Sequence, residues 1–111
     1  MAVHGNDLLQ GTLDLLVLRA LAAEPRHGYG VMRWIREVSD DGFEIKEGAL
    51  YPALHRMEGR GWLESEWGIS DGNRQARFYR LTAAGRHQLE VETASWRRYV
   101  GAVAKVLEAG A

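Results

Sequence analysis

Apolar residues recur at helical spacing in four segments of this chain, and two shorter segments between the third and the fourth have strand character. The first helix is predicted from Leu8 to Ala23, where the segment Glu24–Arg26 with its proline ends it. Its apolar surface is wide, which predicts burial on two sides, partly by a second chain. Residues 1–7 are expected to form a loose tail.

The second helix is predicted after His27–Gly28, with Val31, Ile35 and Val38 on its buried face. The polar segment 39–42 is predicted to end this helix through a left-handed glycine at Gly42.

The third predicted helix, from Glu47 to Glu58, has two different faces. Its apolar face consists of Leu50, Leu54 and Met57. Its polar face consists of Tyr51, His55 and Arg56. One aromatic and two hydrogen-bonding side chains are therefore predicted to face an outside partner. Pro52 lacks the amide that would bond to the Gly48 carbonyl, so a bend is expected there.

Two strands and a long helix are predicted in the rest of the chain. The strands span Trp62–Trp67 and Ala76–Leu81, joined by a loop that is long enough for a flexible wing. Thr82 is predicted to cap a final helix that continues to about Ala109. At about 1.5 Å per residue this helix would be about 40 Å long, against about 26 Å for the body that precedes it. Its apolar stripe therefore predicts contact with the same helix of a second copy.

This order of elements predicts a mostly α fold with a small two-stranded β wing, that is, a winged helix-turn-helix followed by a long C-terminal dimerisation helix. The predicted organisation is a flexible N-terminal tail over 1–7, a winged helix-turn-helix DNA-binding domain over 8–81, and the dimerisation helix over 82–111.

Composition restricts the classes of function. The 111 residues are 46% hydrophobic, which predicts one folded domain with a real core. Cysteine is absent, and neither a membrane span nor a signal peptide is recognisable, so a cytoplasmic location is expected. The formal net charge of −1 counts against nucleic-acid binding. Local cations can still suffice, because counterion release depends on cations placed near phosphates.

The candidate DNA contacts are cationic, aromatic or hydrogen-bonding residues of the third helix and the wing. They are Lys46, Tyr51, His55, Arg56, Arg74 and Arg77. Such groups donate to phosphates and base edges. Exposed polar residues usually have no such role, and taken alone these would be read as ordinary surface. Strand alternation places Arg80 on the opposite side from Arg77, as a partner in an internal ion pair.

No enzyme is predicted, because no nucleophilic side chain has a general base at a spacing typical of a catalytic pair, and no cofactor-binding motif appears. The four histidines share no metal-ligand spacing, so neither a metal nor a cofactor is expected. Trp34 and Trp62 are interpreted as structural. Two classes stay open: a dimeric DNA-binding repressor, and a helical protein-interaction module with a winged-helix shape that does not bind DNA.

Several motifs match one family in the same order along the chain. They are Gly11-Thr12-Leu13, His27-Gly28-Tyr29, the string Gly48–Glu58, Gly61-Trp62-Leu63, Trp67, Arg77–Thr82 and Gly85. In these the chain resembles the PadR family of bacterial transcription regulators, in particular its short members with a single C-terminal helix. The string in the third helix is specific, whereas each other piece alone is weak.

The resemblance implies a homodimer through the first and last helices that binds a partly palindromic operator. It also implies repression that a small aromatic or hydrophobic effector relieves, with Trp96 as the residue that stacks on flat ligands. The residues expected at the dimer interface are Leu9, Leu13, Leu16, Leu89, Trp96, Val100, Val103 and Leu107.

Overall fold

The computed structural model describes residues 2–4 and 11–110, and four helices dominate this part of the chain. The helices are α1 (Thr12–Ala20), α2 (Gly28–Val38), α3 (Glu47–Gly59) and α4 (Ala83–Glu108). The strands are β1 (Val3–His4), β2 (Arg26–His27), β3 (Phe43–Glu44), β4 (Leu63–Ile69) and β5 (Gln75–Leu81). The fold is mostly α with a small β wing, as the hydrophobic pattern predicted.

The first three helices enclose one apolar core. Its largest fully buried side chains are Val17, Leu18, Leu21, Val31, Ile35, Leu50, Leu54 and Met57. Burial of each such side chain stabilises the fold by roughly 1.5–3 kcal/mol relative to exposure. The predicted apolar face of α3 is thus confirmed. Val38 was wrongly assigned to the core, because it lies at the very end of α2, where it is exposed.

Two helix boundaries differ from the prediction. α1 ends at Ala20 rather than at Ala23, and it begins at Thr12, after a left-handed Gly11 with φ 85°. A helix does not continue through that conformation, so α1 itself starts at Thr12. The predicted first residue, Leu8, lies outside the described residues. After α2 the left-handed residues are Asp40 and Asp41, not Gly42. Aspartate tolerates this region because its short polar side chain can bond to the local backbone.

β5 is the central strand of an antiparallel sheet, with β4 on one side and β2 on the other. Leu63 pairs with Leu81 at the base of the β4–β5 ribbon, and Ile69 pairs with Gln75 near its tip. β2 was not predicted, because two residues are too few to show a period. β1, inside the segment expected to be a loose tail, pairs in parallel with β3.

The turn between β4 and β5 is tighter than predicted. The Ser70 amide donates to the Arg74 carbonyl at 2.8 Å, and the Asn73 amide donates to the Ser70 carbonyl at 2.9 Å. Asn73 takes the left-handed conformation that such a short turn requires, with φ 59°. The expected long loop over 68–75 is therefore wrong, since Gly68 and Gln75 both belong to the strand ladder. β4, β5 and this turn are called the wing below.

α4 is packed against the body of the subunit at its start, whereas its second half is exposed. The Thr82 hydroxyl accepts the Gly85 amide at 3.0 Å, which confirms the predicted cap. A Cβ at Gly85 would lie 2.0 Å from the Trp62 carbonyl oxygen, so only glycine allows this close approach. From residue 94 to 110, every residue except Ala104 is exposed.

Candidate nucleic-acid interface

The outer face of α3 lies opposite its buried side and carries few long side chains. At 100° per residue, Gly48, Pro52, His55 and Gly59 lie nearest the centre of that face, and all four are exposed. The His55 side chain forms no hydrogen bond or ion pair with another described residue. The Gly48 carbonyl, which the proline leaves without a donor, belongs to an exposed residue that water can reach. A partner can therefore approach the α3 backbone closely here.

Tyr51 borders this face on the side towards α2. Its phenol ring lies over Gly28, where an added Cβ would come within 2.5 Å of the hydroxyl oxygen. Tyr51 is still 43% exposed. Burial raises the pKa of the Tyr51 hydroxyl, and the Glu47 carboxylate adds to the rise. The phenol is therefore a neutral hydrogen-bond donor that is both packed between two helices and accessible from outside.

Arg56 borders the same face on the side towards α1. Its guanidinium forms an ion pair with the carboxylate of Asp14, a residue that is only 8% exposed. Arg56 lies off the apolar face as predicted, but the buried charge of Asp14 draws its guanidinium towards α1, and 43% of the side chain stays exposed. Arg56 fastens α3 to α1, and its contact with DNA stays a prediction.

Cations flank α3 at its start. Lys46 caps α3 without a side-chain hydrogen bond, and its ammonium lies 2.6 Å from a Glu44 carboxylate oxygen. Lys46 lines a cavity of about 510 Å³ together with Arg33 and Arg36 of α2. The sequence interpretation missed both α2 arginines. The available signal was their place on the polar face of α2, opposite Val31 and Ile35.

A second concavity, of about 710 Å³, separates α2 and Tyr51 from the wing. Cationic and aromatic side chains dominate its walls: Tyr29, Arg33, Tyr51, Arg74, Arg77 and Tyr79. Arg74 lies in the turn and forms no side-chain ion pair with any described residue. Tyr29 was also missed as a candidate, although it is 57% exposed beside the glycine that opens α2.

The wing is fastened to α3 by a short polar network. The Ser65 hydroxyl donates to a Glu58 carboxylate oxygen at 2.6 Å and accepts the Arg77 Nε–H at 2.8 Å. The Arg77 guanidinium also lies 3.8 Å from the same Glu58 oxygen. Arg80, on the opposite face, donates to Glu64 at 2.8 Å, which confirms its predicted ion pair.

A cavity of about 380 Å³ lies between α1 and the exposed part of α4. It is lined by Gly11, Thr12, Leu15, Glu92, Ser95, Trp96 and Tyr99. The rings of Trp96 and Tyr99 are 5.9 Å apart. The buried Oε2 of Glu92 accepts no hydrogen bond from any described residue, and burial raises the pKa of this carboxyl, with Asp14 adding to the rise.

Of the residues predicted at a dimer interface, those on the outer half of α4 are exposed: Trp96, Val100, Val103 and Leu107. Leu13, Leu16 and Leu89 are half-buried against the core of their own subunit. Leu9 lies outside the described residues. The sequence interpretation missed Val91, Tyr99 and Val106, which are also exposed on α4.

Within residues 2–4 and 11–110, no helix is long and apolar enough to cross a membrane. In the same part of the chain, no three histidine, aspartate or glutamate side chains are grouped as a metal site would need.

A winged helix-turn-helix whose third helix presents an exposed face between two groups of cations is a DNA-binding regulator of transcription by class. More particularly, the chain belongs to the transcriptional regulator PadR-like family, whose model matches residues 17–91. This confirms the resemblance predicted from the motifs. It also agrees with the prediction of no enzyme, since the members are transcriptional regulators.

Individual relatives cover most of the chain. The "Transcriptional regulator Rv3488" of Mycobacterium tuberculosis is 42% identical over 85 residues, which are 76% of this chain and 75% of the relative. A PadR family transcription regulator from hypervirulent Clostridium difficile R20291 has a TM-score of 0.76 at 30% identity, covering 87% of this chain and 99% of that one. A PadR family regulator from Eggerthella lenta DSM 2243 has a TM-score of 0.75 at 34% identity, covering 91% and 86%.

Proposed function

We propose that the protein is a repressor that binds a partly palindromic operator as a homodimer, with α3 of each copy in the major groove. The observation that carries this proposal is the outer face of α3, where His55 stands among small residues and cations lie on both sides. Arg33, Arg36 and Lys46 lie near the start of α3, and Arg74 and Arg77 lie on the wing. Such an arrangement suits a helix between two phosphate backbones.

We further propose different roles for the candidate contacts. His55 faces base edges from the centre of α3, and the Tyr51 hydroxyl donates to a phosphate or base from its border. Lys46, Arg33 and Arg36 neutralise phosphates on one side, while Arg74 does so from the tip of the wing. Arg77 supports the wing through Glu58 as much as it attracts phosphate. These roles are supported by exposure and by the partners that each side chain already has.

The proposed dimer uses the outer half of α4. This half is supported as the contact by its apolar side chains, which are exposed in the described part of the chain. Trp96, Val100 and Val103 repeat at spacings of four and three, as in a helix–helix seam. A two-fold dimer would place two α3 helices on one face of the duplex, about 34 Å apart along its axis.

An effector site is proposed at the cavity between α1 and α4. Trp96 and Tyr99 offer flat apolar surfaces for a small aromatic or hydrophobic compound. The cavity lies beside the proposed dimer contact, so an occupant would alter the spacing of the two α3 helices. Such a change would lower operator affinity, as release of a repressor requires.

The proposal is tested by selecting bound duplexes from a random DNA pool with the purified protein. The expected result is an enriched motif with two-fold symmetry and half-site centres one helical turn apart, about 10 base pairs. The affinity for that motif should fall steeply from low to moderate salt. Failure to enrich any motif, together with salt-independent behaviour, would instead support an interaction module without DNA binding.

A further inference from the structure

Two large apolar side chains are exposed on the outer strand of the wing. Trp67 is 65% exposed and Ile69 is 62% exposed, both on β4. Apart from the Arg77 guanidinium, 5.7 Å from the centre of the Trp67 ring, neither has a described ring or polar partner. Neither belongs to the apolar core or to the residues packed against it. Two large apolar side chains that are exposed next to each other indicate a contact surface.

Strand register places this pair on the α3 side of the sheet. Leu63, Ser65, Trp67 and Ile69 alternate onto one face, together with their partners Leu81, Tyr79, Arg77 and Gln75. At the base of the wing this face is buried in the core through Leu63, Tyr79 and Leu81. One step further out, Ser65 is bonded to Glu58 of α3. Trp67 and Ile69 therefore continue this face outward past the end of α3.

Charge is segregated between the two faces of the wing strands. The face of Trp67 carries Arg77 and no carboxylate of its own strands. Both strand carboxylates, Glu64 and Glu66, lie on the other face, and both contact Arg80. Arg74 adds a further cation at the tip. The carboxylate that reaches this face from α3, Glu58, is bonded to Ser65 and paired with Arg77. An apolar pair next to cations, with the strand carboxylates on the opposite face, matches a polyanion with apolar sugar edges better than it matches a protein partner.

We propose that Trp67 and Ile69 form an apolar contact with the deoxyribose sugars of the duplex, beside the groove that α3 enters. The contact rests on the proposed function, because it places the duplex along the outer face of α3. Trp67 packs its ring on the sugar edges, while the neighbouring Arg77 is held by Ser65 and Glu58 rather than by the ring. The wing thereby supplies affinity that does not come from counterion release, which matters for a chain with a net charge of −1.

The test measures affinity for a labelled operator duplex by fluorescence anisotropy over a series of salt concentrations. Trp67→Ala is expected to lose about tenfold at every salt, the scale on which truncation of an aromatic anchor acts. The slope of log affinity against log salt stays that of the wild type. Arg74→Ala, in contrast, is expected to reduce that slope by about one, because it removes one phosphate contact.

Two further variants keep the test decisive. Ile69→Ser leaves Trp67 and Arg77 in place and is expected to weaken binding in the same salt-independent way. Glu66→Gln, on the other face of the same strand, is the matched control and is expected to lose no affinity. Thermal unfolding and sedimentation of each variant should match the wild type, because both apolar side chains are largely exposed.

Three results would overturn the inference. One is operator affinity of both Trp67→Ala and Ile69→Ser within about twofold of the wild type. Another is a reduced salt slope in Trp67→Ala, which would mean that Trp67 acts only by holding Arg77. The third is dissociation of the dimer in Trp67→Ala or Ile69→Ser, which would mean that a second copy of the chain, and not DNA, occupies this surface. Failure of the wild type itself to bind any duplex would count against the proposed function.

Discussion

At the scale of single residues, the ion pair between Arg56 and Asp14 decides what a substitution in α3 can reveal. The two residues are 42 positions apart in the sequence, so helical spacing alone does not show that they meet. Asp14 is buried on α1, close enough to Glu92 for its charge to raise the pKa of that group. Loss of Arg56 would leave the buried Asp14 carboxylate without its ion-pair partner. An effect on DNA binding must therefore be separated from an effect on stability.

Arg56→Ala is predicted to lower the free energy of unfolding by about 2 kcal/mol, less than the ~3–5 kcal/mol typical of deeply buried pairs, because the arginine is partly exposed. Urea unfolding measures this change. The double variant Asp14→Asn, Arg56→Gln is expected to recover most of the loss, since no buried charge is then left unpaired.

Arg74→Ala is the matched control for that stability measurement, because Arg74 is an exposed arginine without an ion pair to any described residue. Its unfolding curve should coincide with that of the wild type. The assigned role of Arg56 would be refuted by an Arg56→Ala variant as stable as the wild type. Operator affinity of Arg56→Ala is informative only under conditions in which the variant is folded.

At the scale of elements, the sequence predicted what local patterns encode. Leu50, Leu54 and Met57 marked the buried face of α3, and Thr82 marked the start of α4, because both signals lie within one or two helical turns. β2 escaped prediction, since its two residues become a strand only by pairing with β5. The length of the wing turn was overestimated because Gly68 belongs to a residue type that is common in turns. In the structure Gly68 lies in the strand ladder and packs against Phe78.

The candidate site was predictable in its composition but not in its contacts. Tyr51, His55 and Arg56 were correctly placed off the apolar face of α3. Which of them is free depends on distant residues: Gly28 lies under Tyr51, and Asp14 pairs with Arg56. The contributions of α2 escaped prediction for the same reason, because the approach of α2 to the wing is a property of the tertiary fold.

α4 and α1 together form the cavity to which the effector is assigned, and this assignment gives a prediction for a planar aromatic compound such as acridine. Added without DNA, acridine should quench the tryptophan fluorescence of the wild type. Trp96→Phe should lose most of the quenching, because Trp96 lines the cavity. Trp67 is a second exposed tryptophan, on the wing, and the control variant Trp67→Phe should keep the quenching. Equal quenching in Trp96→Phe and the wild type would exclude Trp96 as the platform.

At the scale of the whole molecule, shape and charge distribution matter more than net charge. The chain measures 57 Å along its longest axis and 21 Å along its shortest. α4, with 26 residues, is about 39 Å long at ~1.5 Å per residue and carries its apolar side chains beyond the body of the subunit. Most of the cations near the outer face of α3 lie on α2 and the wing, and Lys46 lies at the start of α3 itself. A near-neutral chain can therefore present a basic face to DNA and an apolar face to a second copy.

The most direct measurement is sedimentation of the protein alone and in complex with its selected operator duplex, together with a variant of the α4 stripe. The account predicts a dimer at micromolar concentration and two chains per duplex. Val103→Asp should be monomeric and should lose operator affinity, because a charge replaces an apolar contact on α4. Val38→Asp, at an exposed valine of α2, should stay dimeric. A monomeric wild type that binds single half-sites as well as the full operator would contradict the account.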